Sequence, residues 1–204
     1  MLDSKGFDLW ADGYDRSVGL TEESGAYPFA GYRAVLGHIY ETVMRTPHAR
    51  VLDLGFGTAV LTSKLYENGC EIFGQDFSGN MTAIASSKMP GAHLYTGDFS
   101  KGLVPQLRTE RFTHIISTYA LHHLTDDEKR SLIELLRTLL CSGGSILIGD
   151  VAFASRADLA ACRTGAGDKW DDEEYYFVFE DWKRLIPSAV FTPLSHCAGV
   201  LEIR

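Results

Sequence analysis

No stretch of this 204-residue chain is apolar for long enough to span a membrane. Asp3, Lys5 and Asp8 near its start do not make the pattern of a signal peptide. Cysteine is scarce: Cys70, Cys141, Cys162 and Cys197 show no Cys-x-x-Cys spacing, so neither a zinc knot nor a disulfide framework is signalled. Reduced thiols in the cytoplasm, and no metal, are the expectation. Positive charge is short as well. With 19 Lys+Arg against 27 Asp+Glu the net charge is −8, whereas a phosphate backbone as main partner requires a basic surface. Neither nucleic acid nor a membrane is therefore an expected partner. Internal repeats, low-complexity tracts and long linkers are also missing, so residues 1–204 are read as one domain.

What the chain does have is a stretch around which the rest is organised, Val51-Leu52-Asp53-Leu54-Gly55-Phe56-Gly57-Thr58-Ala59-Val60-Leu61. Four residues of strand character run into a glycine turn, and the spacing of Val60, Leu61 and Leu65 then predicts a helix. Glycines there allow φ > 0 and let the backbone approach a ligand, whose polar groups meet the free N–H groups of the helix start. A lone Gly-x-Gly is equally compatible with an ordinary strand-to-helix turn.

Before this stretch, Phe7, Trp10, Ala11, Tyr14 and Val18 follow helical spacing and form either a packing face or a lid carrying Tyr14 over a ligand. Tyr32, Val35, Leu36, Ile39, Tyr40 and Val43 mark one face of a second helix ending near Pro47. After the turn, Glu71 to Asp76, His93 to Thr96, Phe112 to Thr118 and Ile146 to Val151 read as strands. Ser78 is a plausible N-cap for a helix holding Met81, Ile84 and Ala85 inward. Thr125 and Glu128 make a capping box, and Leu132, Leu135, Leu136, Leu139 and Leu140 a helical stripe stopped by Gly143-Gly144. A short helix over Arg156 to Arg163, broken by Gly165 and Gly167, and another over Glu180 to Ile186 follow. Ala189 to His196 and Gly199 to Ile203 should pair antiparallel. The fold class expected is α/β: a Rossmann-like seven-stranded, mostly parallel sheet with helices on both faces and a C-terminal antiparallel hairpin.

In such a sheet ligands bind beyond the carboxyl ends of the strands. Asp53 with Gly55 and Gly57, then Asp76, then Asp98 with Phe99, and then Thr118 to His123 occupy those places. Asp76 stands where a carboxylate accepts hydrogen bonds from a ribose diol. Asp98 could meet an adenine amino group with Phe99 stacking beside the ring, or simply cap its own loop. The dinucleotide fingerprint asks for a small residue where this chain has Val60, which weakens a pyrophosphate reading.

From Val51 to Val151 the chain resembles the class I S-adenosylmethionine-dependent methyltransferases. Val-Leu-Asp-Leu-Gly-Phe-Gly resembles their first motif, Phe-Gly-Gln-Asp-Phe-Ser-Gly-Asn-Met the second, Gly-Asp-Phe the third, and Ser-Thr-Tyr-Ala-Leu-His-His-Leu the segment after the fourth strand. Leu9-Trp10-Ala11-Asp12-Gly13-Tyr14-Asp15, the run from His122 to Arg130 and Glu174-Tyr175-Tyr176 resemble a small bacterial subgroup of ill-defined substrate. The resemblance implies that Gly55 and Gly57 face the methionine moiety of the cofactor and Asp76 its ribose. It also implies that Asp98 meets the adenine, that Phe99 and Met81 flank the ring, and that Thr118 lines the methionine end. Asp53, Phe56, Phe77 and Tyr14 complete the expected cofactor contacts. Where the family usually has a third glycine, this chain has Ala59. The organisation implied is a lid region over 1–47, a cofactor-binding core over 48–151, and a substrate-side segment with the closing strands over 152–204.

Methyl transfer is an in-line displacement that chiefly requires holding nucleophile and methyl carbon at near-attack distance. If the acceptor must lose a proton, His122 or His123 could serve as base, with His123 slightly favoured. Tyr119, Tyr175 and Tyr176 are candidates to wall the acceptor pocket. Base-methylating relatives typically carry Asp- or Asn-Pro-Pro-Tyr where this chain has Ser117-Thr118-Tyr119-Ala120, so a small-molecule acceptor is expected. The competing readings are a cofactor-binding module without turnover and a nicotinamide-dependent oxidoreductase.

Overall fold

The computed structural model describes residues 25–204. The N-terminal segment with Phe7, Trp10 and Tyr14 lies outside the described residues. Strand β1 is Arg50–Leu54, β2 Glu71–Asp76, β3 His93–Thr96 and β4 Phe112–Thr118. Strand β5 is Leu140–Phe153, β6 Phe177–Val178, β7 Val190–Pro193 and β8 Ala198–Ile203. Helix α1 is Tyr32–Met44, α2 Val60–Glu67, α3 Gly79–Lys88, α4 Asp126–Arg137, α5 Arg156–Ala166 and α6 Phe179–Leu185.

The sheet runs in the order β3-β2-β1-β4-β5-β8-β7. Strands β1 to β5 pair parallel with their neighbours, while β8 pairs antiparallel with both β5 and β7. The expected seven-stranded plan with its closing hairpin is therefore present. Two-residue β6, which no periodicity signals, adds an eighth strand beside the end of β5.

Both faces of the sheet are covered, so its strands are apolar on both sides. Val51, Ile116, Leu147 and Val200 face one core with α1 and α2, and their neighbours Leu52, Ile115, Ile146 and Leu201 face the other with α4 and α6. Helix α1 lies close against β5, where a Cβ on Gly149 would stand 2.4 Å from Val35 Cγ1.

Several boundaries differ from the sequence reading, among them β5, expected over Ile146 to Val151, and β7, expected over Ala189 to His196. Helix α4 ends at Arg137 rather than continuing to Leu140, which already belongs to β5. Gly143-Gly144 therefore do not stop a helix; they sit where the β4–β5 register shifts between Phe112 and His114. Gly143 takes φ +78°, and a Cβ on Gly144 would come 2.8 Å from the Thr113 carbonyl oxygen, so the irregularity needs both glycines. In α5, started by a Ser155–Asp158 capping box, Gly165 lies inside the helix, and the chain leaves it at Gly167, which takes φ +54°.

Candidate functional site

The turn after β1 has three residues in the left-handed region: Gly55 at φ +74°, Gly57 at +52° and Ala59 at +61°. A Cβ on Gly55 would lie 2.4 Å from Ala120 Cβ, so glycine is required for the β1 and β4 loops to meet. Among the described residues nothing stands within 4 Å of where a Cβ on Gly57 would be, so none of them covers its backbone. Ala59 adopts the positive φ that a third glycine would take, and its methyl is buried in the core rather than standing over the turn.

Asp76 fixes this turn from β2. Its Oδ2 accepts a hydrogen bond from the Gly57 N–H at 2.8 Å and its Oδ1 one from the Ser78 N–H at 2.8 Å. Asp53, wholly buried in β1, accepts from the Thr62 hydroxyl through Oδ2. Its Oδ1 has no hydrogen-bond partner among the described residues. Burial pushes this carboxyl up to about 7 against the Thr62 hydrogen bond, and the Asp76 charge adds to the rise. An orphaned buried carboxylate oxygen beneath an open glycine turn fits a ligand that brings positive charge or a donor to it.

The remaining cofactor candidates surround the same turn unevenly. Phe99 stands near Gly55, with Cε1 3.5 Å from the Gly55 Cβ position. Asp98 caps its own turn, accepting from the Ser100 N–H at 3.0 Å and pairing with Lys101 at 3.0 Å. Burial opposes its ionisation, but the Ser100 and Lys101 contacts outweigh this and hold the carboxyl below its ordinary value. Met81 is buried at the start of α3, whose N-cap Ser78 accepts from the Met81 N–H at 3.1 Å. Phe77 is half-buried beside it. Phe56 turns its ring away into the core, over the bare Gly74. Thr118, half-buried, ends β4.

Immediately after β4, Tyr119 takes φ +50°, a strained value for a bulky residue, and its ring packs on Phe29 and Tyr32 at 5.5 and 5.2 Å between centroids. The backbone then enters a single 3₁₀ turn carrying His122 and His123. His122 is buried. Its Nδ1 lies 2.6 Å from Asp150 Oδ1, and its backbone N–H reaches Asp150 Oδ2 at 3.2 Å. On the opposite side, Nε2 stands 3.5 Å from Glu174 Oε1. Burial disfavours the imidazolium, but the charge and hydrogen bond of Asp150, helped by Glu174, prevail and raise the His122 pKa above 6.5. His123, half-buried with its ring centroid 4.2 Å from that of His122, is driven the other way: burial and the His122 charge lower it to about 4.

Glu174 continues the chain of contacts, because its Oε2 accepts from the Tyr176 hydroxyl at 2.7 Å, and that hydroxyl is hydrogen-bonded to Tyr27. Tyr175 is different: its ring is largely exposed while its backbone N–H donates to the His122 carbonyl at 2.8 Å. Fully buried Lys129, reaching from α4, holds this segment through the Tyr175 carbonyl and Asp126, with its ammonium 4.7 Å from the Phe177 ring centroid.

Asp150, Lys129 and Tyr27 thus join the candidate site without having been singled out one by one in the sequence, and Glu174 gains a contact with His122 that its run did not assign. Asp150 had a signal, a carboxylate inside an otherwise apolar strand, and Glu174 lies within a run already singled out. Beyond the end of β5 lies a cavity of about 680 Å³, walled by Tyr27, Phe153, Lys169 and His196 among others.

A family model described as a methyltransferase domain matches residues 51–144. An uncharacterized methyltransferase of Anoxybacillus flavithermus is 33% identical over 207 residues, covering 96% of this chain and 94% of that protein. Another, from Geobacillus kaustophilus, is 38% identical over 182 residues, 85% of this chain and 81% of that protein. Among solved structures, DhpI in complex with S-adenosylhomocysteine superposes with a TM-score of 0.72 at 16% identity, covering 97% of this chain and 92% of its own. Synechocystis magnesium protoporphyrin IX methyltransferase with the same ligand gives 0.65 at 18% identity, covering 85% and 83%. At such identities the two structures establish the fold.

Proposed function

Because the chain belongs to the methyltransferase family, a membership carried by relatives matched over nearly its whole length, we propose that it transfers the methyl group of S-adenosylmethionine to a small-molecule acceptor held at the carboxyl ends of β4 and β5. S-adenosylmethionine supplies a methyl carbon on a positively charged sulfur, open to in-line attack.

The chain's own residues bind and orient. Gly57 offers backbone that no described residue covers, Asp76 would accept from a ribose diol, and the Asp53 oxygen that no described residue satisfies favours a ligand bringing a donor or positive charge to the turn. Gly55, Phe56 and Phe77 supply the backbone around that ligand. Phe99 and Met81 would flank an adenine, Asp98 would turn to its amino group, and Thr118 would line the methionine end. Tyr14, on the segment outside the described residues, would close over it.

The observation that carries the acceptor side is the buried Asp150–His122–Glu174 arrangement. Asp150 holds the Nδ1–H, so neutral His122 presents its lone pair at Nε2, where the gap of 3.5 Å to Glu174 is long for a hydrogen bond. There it takes the proton that a hydroxyl or ammonium acceptor loses. His123, held low at about 4 by burial and the His122 charge, is the weaker base of the two, which ranks His122 ahead of it. Tyr119 and Tyr176 would wall the pocket. A small acceptor is supported by the acid-rich composition and by the Synechocystis neighbour, a methyltransferase named for magnesium protoporphyrin IX.

Turnover against a panel of small acceptors, read as released S-adenosylhomocysteine, tests this. Acceptor-dependent release that collapses in His122→Asn is the expected result; release that His122→Asn leaves unchanged removes the base.

A further inference from the structure

Away from the His122 site the fold gathers a second set of donor atoms. Cys162 on α5, and His196 and Cys197 at the turn between β7 and β8, each bring one ligating atom, all within 4.8 Å of one another. The two cysteines are buried and the histidine is exposed. They lie far apart in sequence, so no spacing flags them; the packing of α5 over the hairpin turn creates the set.

The turn itself is tightly fixed. Ser195 Oγ accepts from the N–H groups of Cys197 and Ala198 at 3.2 and 3.0 Å and donates to the Ala30 carbonyl at 2.7 Å. The Cys197 sulfur, by contrast, makes long contacts, 3.9 Å to the Pro28 carbonyl oxygen and 3.9 Å to Ser195 Oγ, and lies against the Cys162 thiol. Rigid backbone around a weakly engaged sulfur is what a preformed ligand requires.

Two sulfurs and an imidazole, with no carboxylate in the set, select a borderline-soft ion and disfavour magnesium and calcium, which take oxygen cages. Tetrahedral zinc would place such donors roughly 3.5–3.8 Å apart. Donor atoms within 4.8 Å of one another reach that spacing by side-chain rotation, for which exposed His196 has room. The 680 Å³ cavity beyond β5 is lined by Cys162, Ser195 and His196, so the fourth coordination direction opens to it. Three protein ligands with one open position is the pattern of a zinc site that admits water or an exogenous ligand.

We propose that Cys162, His196 and Cys197 form a site for a thiophilic divalent cation, zinc foremost, with its fourth position facing the cavity. Each thiol gives up one proton to solvent as its sulfur binds the ion.

Cobalt titration of the full, reduced chain, freed of metal by chelation, tests this. One cobalt per chain with a thiolate-to-cobalt charge-transfer band, bleached by one equivalent of zinc, is expected. His196→Ala, whose exposed position spares the fold, should weaken binding at least about tenfold. The band should vanish in Cys162→Ser and Cys197→Ser, and persist in Cys70→Ser and His122→Asn. S-adenosylhomocysteine binding by the same variants reports that they are folded, and keeps this outcome separate from that of the transfer reaction. Binding without the thiolate band, or a band that survives both serine variants, overturns the site. So does a chain that takes up no metal after reduction and whose two thiols instead recover as a Cys162–Cys197 disulfide.

Discussion

Asp76 and His122 illustrate how single residues here depend on partners supplied by distant strands. Both oxygens of Asp76 already hold backbone N–H groups of the cofactor-side loops, so the carboxylate shapes the turn as well as offering itself to a ribose. Asp76→Ala should weaken S-adenosylhomocysteine binding by at least about tenfold, the loss of charge-assisted hydrogen bonds. His122 depends on Asp150 in the same manner. Its raised pKa means that the neutral, proton-accepting form grows as pH rises through a value above 6.5. The rate should therefore climb with pH through that value, and Asp150→Asn should move the inflection downward; an inflection that stays in place would show that Asp150 does not tune the base. His122→Asn should lower kcat by about a hundredfold or more. At this scale the sequence was informative wherever a residue type is forced locally, as at Gly55 and Gly57. It pointed to Glu174 through the run Glu174-Tyr175-Tyr176 but not to the contact with His122, because that contact comes from a segment without periodicity.

Elements were readable where apolar spacing is clean and misread where glycine has a tertiary purpose. The Thr125–Glu128 capping box and the buried faces of α1 and α4 follow directly from their residues. Gly143-Gly144 looked like a helix stop because such pairs end helices, yet α4 had already ended and the pair serves the β4–β5 irregularity. Two-residue β6 has too few residues to show a period, and it is fixed instead by Lys129 beneath it. Gly149 lets Val35 and Ile39 of α1 lie directly against the sheet. Gly149→Ala should cost roughly 1–3 kcal/mol in chemical denaturation, the usual penalty of overpacking. Val35→Ala, by removing the Cγ1 that the new methyl meets, should recover part of that loss in the double variant. Independent, additive losses would show that the helix does not rest on Gly149.

On the scale of the whole molecule, proton binding and ligand binding both act on stability. Asp53 has its folded pKa raised to about 7, so the folded state holds a proton that the unfolded chain releases, and stability falls as pH rises toward that value. His122 has a raised folded pKa too: its stabilisation is complete below about 6.5 and is lost as pH climbs through the folded value. His123, depressed to about 4, stabilises above its unfolded value and loses that contribution as pH falls toward 4, which offsets the Asp53 gain on the acid side. Tm should thus be a few degrees higher at pH 6 than at pH 8, and Asp53→Asn should flatten the difference; a Tm that rises toward pH 8 would contradict this balance. The parallel sheet and its closing hairpin were legible because strand and helix periods alternate through the chain. The cavity beyond β5 was not, because the segment after β5 that walls it has weak patterning. The central claim is that the Gly55–Ala59 turn, latched by Asp76, binds the nucleoside methyl donor. Titration calorimetry with S-adenosylhomocysteine tests it most directly. One site of micromolar affinity, no response to NAD and at least about tenfold weaker binding in folded Asp76→Ala is the predicted result; absence of binding, or affinity that Asp76→Ala leaves untouched, would contradict it.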